Sequence, residues 1–209
     1  MKKIMFNDEY SLTQAVLDGR KTMTRRVIKC PREFKGEWVA GFNIHRRHSD
    51  KKIVDWPCMY DADEREFGMG EILPKYELGE VVAIAQSYGD CGNMPDYELD
   101  EDGYPIMPKR SGFFNKMFVR ADLMPHHIRI TNIKIERLQN ISDEDCFKEG
   151  IFKWDAGQKD IPFYSFHNAD IPDYNNPRDA FAELIDKVSG KGTWESNPYV
   201  FVYEFELID

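Results

Sequence analysis

The sequence predicts an α+β fold, with a small barrel-like sheet flanked by short helices, in a single domain spanning residues 1–209. Three observations favour this class: several short strand-like segments, few helical ones, and a long alternating strand at 199–207 that closes the chain. A chain of this length buries roughly 70% of the surface that its unfolded form exposes, so a substantial core is available. Parallel βαβ winding is the alternative.

The N-terminal half contains one predicted helix and one clear strand. Residues 7–9, Asn-Asp-Glu, precede an apolar series that begins at Leu12, which indicates an amphipathic helix with acids at its positive end. Gly19 is expected to stop this helix in the left-handed conformation. A β-branched stretch follows, and the next clear element is a buried strand over 81–86.

Two segments of the chain are predicted as insertions. Residues 30–75 show poor periodicity and are interpreted as an insertion or a long irregular connection. Residues 88–112 are rich in Gly, Pro and acids and have no consistent period, which is typical of a surface loop.

The C-terminal half returns to regular patterns. Residues 128–135 alternate like a half-buried strand, with one step of slippage that indicates a bulge. Ser142 and Asp145 form a capping-box-like start to a short helix that ends at Gly150. A second helix is predicted to open at 176–177, Asn-Pro, with proline in its first turn.

The charge of the chain is strongly uneven. The 28 Lys and Arg against 37 Asp and Glu give a formal charge of −9, which argues against a protein that coats nucleic acid non-specifically. Residues 1–52 nevertheless hold 13 basic and 6 acidic residues, a net charge of +7. The tightest basic cluster lies there, and it consists of Arg20, Lys21, Arg25 and Arg26. Any contact with nucleic acid is therefore expected to be local.

Several absences limit the function further. No apolar run approaches the ~20 residues of a membrane span, and the N-terminus turns acidic early, so we expect a cytoplasmic protein without a membrane partner. The four cysteines are spaced too irregularly for a redox or zinc motif, and free thiols are expected. His45 and His48 match no zinc module and have two arginines between them, so we expect no metal site and no cofactor.

One motif links the chain to a known family. Residues 19–26, Gly-Arg-Lys-Thr-Met-Thr-Arg-Arg, resemble the signature of the ASCH family, Gly-x-Lys-Thr-x-Thr-x-Arg after a short helix, at every defining position. The resemblance extends to the turn at 78–81, to the helical segment 138–151 and to the closing strand at 197–205, which is similar to that of longer phage- and prophage-associated members.

The resemblance implies a fold and a ligand. ASCH proteins have a PUA-like β-barrel and are associated with recognition of RNA or modified nucleobases in a cleft beside it. Some small members are amidohydrolases that remove an acyl group from the exocyclic nitrogen of N4-acetylcytidine with a Lys, a Thr and a Glu. By motif position these roles fall on Lys21, Thr24 and Glu149.

Elementary chemistry is consistent with these roles. A threonine hydroxyl is a poor nucleophile without an adjacent base, and a lysine can be that base only if burial or nearby cations lower its pKa. Residues three apart on a strand point to opposite faces, so we expect the segment to turn between Lys21 and Thr24. The alternative is a helix stop followed by a solvated turn, with Glu149 on a helix surface.

The remaining expected ligand contacts surround this motif or lie in two later segments. Trp194 is a candidate for base stacking because a Gly-flanked loop precedes it, and Gln86 lies at a strand end where longer family members often have Glu. The full set of expected substrate-binding residues is Gly19, Arg20, Thr22, Arg25, Arg26, Gln86 and Trp194.

Three functions follow as expectations. The favoured one is recognition of a nucleobase, a modified nucleoside or an RNA element in a basic cleft. The first alternative is an amidohydrolase that deacylates N4-acetylcytidine-like nucleosides. The second alternative is a phage-related interaction protein without activity, since a fold by itself does not establish a function.

Overall fold

The fold is known from a computed structural model. It describes residues 1–49, 52–93, 95, 101–103, 111–154, 162–166 and 174–209. The strands are β1 Lys3–Ile4, β2 Met23–Val27, β3 Glu33–Phe34, β4 Glu37–Trp38, β5 Gly41–Ser49, β6 Lys52–Tyr60, β7 Glu66–Glu71, β8 Val81–Ile84, β9 His127–Arg137, β10 Phe152–Trp154, β11 Phe163–Ser165 and β12 Tyr199–Leu207. The α-helices are α1 Leu12–Leu17, α2 Tyr88–Cys91, α3 Asp143–Lys148, α4 Pro177–Ser189 and α5 Thr193–Ser196. The α+β class is confirmed.

A five-stranded sheet forms the centre of the molecule, in the order β1-β8-β9-β12-β2. β1 runs parallel to β8, and the other neighbouring pairs are antiparallel. β1 and β2 are the two edges, and within the described residues no pairing closes the sheet. The mixed fold is therefore observed without a closed barrel, and the PUA-like barrel remains a prediction.

The long pair β9–β12 sets the register of this sheet. Glu204 pairs with Asn132 while Phe205 pairs with Ile130, so Thr131 is an extra residue on β9. The bulge expected from the one-step slippage of the apolar pattern is confirmed.

β12 is buried more completely than its alternating pattern indicates. Phe201, Tyr203 and Phe205 are buried as expected, but Val200 and Val202 at the even positions are 0% exposed as well. A central strand covered on both faces needs apolar residues at consecutive positions, and the valines provide them. The helix α4 contributes its own apolar stripe to the same core cluster.

Local capping chemistry places the helices. The Ser142 side chain accepts a hydrogen bond from Asp145 N at the start of α3, and Asn176 does the same for Asp179 N at the start of α4. Both predicted helix starts are confirmed. The helix α1 begins differently, since Ser11 has φ 53° and forms no side-chain cap, and the acids at 7–9 lie before its first turn.

The segment 30–75 is not an irregular connection. It contains the hairpin β3–β4 and the three-stranded antiparallel sheet β5-β6-β7, in which β5 and β6 pair from Gly41 with Tyr60 to Ser49 with Lys52. Pro57, Cys58 and Met59 are buried at consecutive positions of β6, so this strand lacks the alternation by which periodicity reveals a strand. The predicted loop at 88–112 lies largely outside the described residues, which include the short helix α2 at its start.

A matched pair of glycines tests how tightly α3 is joined to α1. Gly150 (φ +104°) follows α3, and a Cβ there would lie 3.3 Å from Leu12 Cδ2, whereas Gly190 (φ +109°) has no atom within 4 Å of such a Cβ. Both alanine variants are expected to lose about 1–2 kcal/mol of stability because of the positive φ. Gly150→Ala should lose more than Gly190→Ala in urea unfolding, since Leu12 must also move. Equal losses would contradict close packing of Gly150 on α1.

Candidate functional site

A cleft of about 230 Å³ opens beside the edge strand β2. Its charged side chains come from two segments that are distant in sequence, the stretch around β2 and the end of α3. Apolar side chains from residues 5–12 and from α4 complete its walls. The predicted catalytic residues Lys21, Thr24 and Glu149 all line this cleft.

Lys21 and Glu149 form a buried hydrogen-bonded pair in the cleft, with 2% and 4% of each residue exposed, respectively. The Lys21 Nζ atom donates to Glu149 Oε2 at 2.7 Å and to the Glu149 carbonyl oxygen at 2.7 Å. Backbone bonds hold both residues in place, because Lys21 N donates to Ala15 O in α1 and Glu149 N donates to Asp145 O in α3. The alternative that Glu149 is a helix-surface carboxylate is wrong.

Arg25 joins the same cluster from β2 and contacts three carboxylates. Its Nη1 donates to Glu149 Oε1 at 3.0 Å, and its Nη2 donates to Glu136 Oε1 at 2.7 Å and to Asp145 Oδ2 at 3.0 Å. The Arg25 side chain is 0% exposed. A planar guanidinium with several donors suits this arrangement, in which β2, β9 and α3 are held together by charge-assisted hydrogen bonds. Arg25 is thus chiefly a structural centre of the site.

The charges of the cluster around Lys21 are nearly balanced. Two further lysines at its rim pair with the same acids, at 3.3–3.5 Å. With all groups ionised the cluster has four cations and three anions; the cations are Lys21, Arg25, Lys134 and Lys148, and the anions are Glu136, Asp145 and Glu149. The net charge is then +1, and it becomes zero when Lys21 loses its proton.

The pKa of Lys21 is lowered from its ordinary value of 10.5. Burial of the amine is the largest cause, and the positive charges of Arg26 and Arg25 act in the same direction, against the opposing effect of Glu149. The shift is in the direction that a role as general base would need.

Thr24 lies in β2, opposite Tyr203 of β12, and is 5% exposed. Its hydroxyl forms no hydrogen bond with the part of the chain that the structure describes. β2 begins only at Met23, so Thr24 belongs to the strand while Lys21 belongs to the connection before it. Both side chains therefore reach one cleft, as the sequence predicts, although they are three residues apart.

Of the residues expected to bind substrate, Arg25 and Arg26 line the cleft. Arg26 is exposed, its Nη2 donates to Met5 O at 2.7 Å, and its guanidinium carbon lies 6.0 Å from the centre of the Phe6 ring. It is therefore a surface cation at the mouth of the cleft, in contrast to the buried Arg25.

Three of the expected contacts lie around the cleft without lining it. Gly19, with φ +70°, ends α1 as predicted. Arg20 is on the surface and pairs with Asp18 at 3.1 Å. Thr22 joins elements through its backbone, because its N donates to Lys148 O and its O accepts from Phe205 N.

Gln86 and Trp194 lie elsewhere. Gln86 follows β8, and its Oε1 is buried without a partner among the described residues. The ring of Trp194 packs edge-on against Phe181 at 6.1 Å, and its backbone N donates to Asp186 Oδ1 at 2.8 Å. Trp194 thus supports α4, and the cleft lining does not include it.

Sequence reasoning missed other residues of the site. Phe181 and Leu184 of α4 form an apolar wall, although their helical spacing indicated only a core-facing stripe. Glu136 and Asp145 hold Arg25, and nothing in their local sequence pattern distinguishes them from solvated acids.

The described residues were also searched for metal-ligand clusters and for helices that could span a membrane. Among them no group of three or more His, Cys, Asp or Glu side chains is placed to hold a metal ion. No helix in the described ranges has the length and apolarity needed to cross a membrane.

Comparisons with known proteins add no relative. No family model, no curated protein and no solved structure matches the chain. The resemblance to the ASCH family therefore rests on the sequence positions that carry it.

Adjacent arginines in β2 offer a test of the buried cluster. Arg25→Met should lower the free energy of unfolding by about 3–5 kcal/mol, because it leaves buried carboxylates without their shared cation. Arg26→Met removes the same charge from an exposed side chain and should cost less than about 1 kcal/mol. Chemical denaturation at neutral pH measures both. Similar losses for the two variants would show that Arg25 does not hold the cluster together.

Proposed function

We propose that the chain is an ASCH-like amidohydrolase that binds an N-acylated nucleobase of the N4-acetylcytidine type and removes its acyl group. The main support is the meeting of Lys21, Thr24 and Glu149 in one cleft, with Lys21 buried and its pKa lowered. The substrate class, the nucleoside or RNA partner and the PUA-like relationship of the sheet come from the resemblance of residues 19–26 to the family signature.

The hydrogen bonds of Lys21 are compatible with a role as the base. A neutral amine has two N–H donors and one lone pair. Both donors are accounted for by the two bonds from Lys21 Nζ to Glu149, each 2.7 Å long. The lone pair then remains available for a proton from the Thr24 hydroxyl, which has no partner in the described structure.

The proposed reaction has two halves. Thr24 Oγ1 attacks the acyl carbonyl carbon while its proton passes to Lys21, the C–N bond breaks, and the exocyclic amine leaves with the proton returned by Lys21. Water then attacks the Thr24 ester with Lys21 again as base, the bond between the acyl carbon and Thr24 Oγ1 breaks, and Lys21 returns the proton to Thr24 Oγ1. The products are a carboxylic acid and the free amino nucleobase, and Glu149 orients Lys21 throughout.

The size and lining of the cleft suit one base. Pockets for drug-sized ligands measure roughly 300–1,000 Å³. The cleft of about 230 Å³ is smaller, and apolar residues such as Phe6 and Phe181 lie beside its polar ones. A planar nucleobase with a short acyl group has matching polar and apolar parts.

Recognition without turnover is the second candidate. One support is that the described contacts include no hydrogen bond between Lys21 and Thr24. Another is Gln86, which occupies a position where longer family members often have Glu, and the cleft lining does not include this residue. On this reading the cleft binds a modified nucleoside and leaves it intact.

Acyl release from N4-acetylcytidine distinguishes these functions. Thr24→Val keeps a β-branched residue in the strand and should lower kcat/KM by about 10³-fold or more, because the nucleophile is lost. Thr131→Val, at the exposed bulge of β9, is the matched control and should keep normal activity. Binding without acyl release in the wild type would support recognition instead, and no binding of the nucleoside would exclude both functions.

The pH profile tests the role of Lys21. Below its lowered pKa the amine is protonated and has no lone pair, so kcat/KM should fall as the pH falls through that pKa and level off above it. The midpoint should lie below 10.5, the ordinary value for lysine. Lys21→Arg keeps a cation that cannot deprotonate and should be inactive at every pH. An active Lys21→Arg enzyme would rule out Lys21 as the base.

A further inference from the structure

A second and larger groove of about 680 Å³ adjoins the cleft. The two spaces share lining residues, among them Met5, Arg26 and Val188, so one continues into the other past the Arg26 side chain. A ligand seated in the cleft therefore has open space in one direction. Neither the composition nor the signature motif indicates this groove.

Three parts of the fold build the groove. Phe201 and Tyr203 of β12, both buried, contribute apolar surface to its floor. Residues 72–76, which follow the inserted sheet β5-β6-β7, form one wall, and the end of α4 with the start of α5 contributes another. The groove thus depends on the extra segment 30–75 as well as on the central sheet.

The charge of the groove is of one sign. Arg26, Lys29 and Lys75 are exposed and line it, and its lining includes no aspartate or glutamate. None of these three cations forms an ion pair with a described residue, although Lys75 Nζ lies 5.3 Å from the centre of the Tyr76 ring. Glu80, an acid that influences Tyr76, is itself paired with Lys2 at 3.0 Å.

What distinguishes these three cations is that they share one groove whose lining includes no acid. The protein has a formal charge of −9, and several other described lysines and arginines pair with nearby acids, as Arg20, Lys116 and Arg120 do. Three cations without such partners, in one concave surface next to a cleft, produce a local positive potential that attracts anions. Ordinary solvent-exposed lysines need not lie in a groove, whereas these cations line a groove that is continuous with the cleft.

We propose that this groove binds the phosphate of the ligand whose base occupies the cleft. The ligand is then a nucleotide, and the phosphate lies against Arg26, Lys29 and Lys75. The proposal rests on the nucleobase function proposed above, and it narrows the substrate class from N-acylated nucleobases in general to those carried by a nucleotide. The same phosphate chemistry is present in a free nucleoside monophosphate and in an internal phosphodiester of single-stranded RNA, and the groove has room for more than one phosphate.

The test uses the Thr24→Val protein, so that an acylated ligand is not consumed. The probes are N4-acetylcytidine, its 5′-monophosphate, and a short single-stranded oligoribonucleotide containing one N4-acetylcytidine. The groove variant is Lys29→Gln/Lys75→Gln. The control variant is Lys35→Gln/Lys153→Gln, which removes the same charge from two exposed lysines that do not line either space.

The phosphate-bearing probes should bind about tenfold more tightly than the nucleoside at low salt, or better, because charge-assisted contacts are added. The groove variant should remove most of this gain and leave the nucleoside affinity within about twofold. For the oligoribonucleotide the slope of log Kd against log salt should fall by about 1.4, since each lost phosphate contact removes roughly 0.7 on a single strand. If the affinity already increases for the 5′-monophosphate, a free nucleotide is a sufficient ligand for the groove. If the affinity increases only for the oligoribonucleotide, the groove binds a phosphodiester of RNA.

Equal affinity for nucleoside and phosphate-bearing probes would overturn the proposal, and so would an equal loss in the groove and control variants. Wild-type acyl release from the free nucleoside is measured separately. If the wild type releases the acyl group but a phosphate does not increase affinity, the phosphate-binding groove is rejected and the amidohydrolase function is retained. A groove-dependent salt slope without acyl release rejects the amidohydrolase and supports the groove.

Discussion

The buried contact of Arg25 with Glu149, Glu136 and Asp145 is the interaction on which the rest of the site depends. It joins the edge strand β2 to the centre of the sheet through β9 and to the helix α3. Buried ion pairs often contribute little net stability, because desolvation offsets their attraction, but they are costly to break on one side only. A cluster of this kind admits few alternative arrangements of its members. It therefore determines where α3 ends relative to β2.

The position of Glu149 follows from that constraint. Once Arg25 holds one carboxylate oxygen of Glu149, the other oxygen and the backbone carbonyl face Lys21. Arg25 also supplies a positive charge to this carboxylate, and it shares that charge with Glu136 and Asp145. The cluster holds Lys21 in place by hydrogen bonds, while burial lowers the pKa of its amine. Lys21 lines the cleft that we propose as the active site, and Arg25 holds the elements around it together.

The distribution of charge explains how an acidic protein can have a basic groove. Several described cations outside the groove pair with nearby acids, whereas Arg26, Lys29 and Lys75 line one concave surface whose lining includes no acid. Two of these residues come from the basic N-terminal quarter and one from the acidic segment that follows it. The average charge of −9 opposes broad binding to nucleic acid but does not prevent one local contact.

The sequence by itself determined the elements whose signals are local. The caps at Ser142 and Asn176, the bulge in β9 and the strand β12 follow from patterns within a few residues, and the resemblance of residues 19–26 to a family signature drew attention to Lys21 and Thr24. Tertiary structure alone decided the partners of Arg25, the order of strands in the five-stranded sheet, the small sheet within 30–75 and the groove past Arg26. The contact between Lys21 and Glu149 spans 128 residues of chain. No periodicity within a short window encodes which of many acids meets a given cation at such a distance, because that choice depends on how the strands and helices pack.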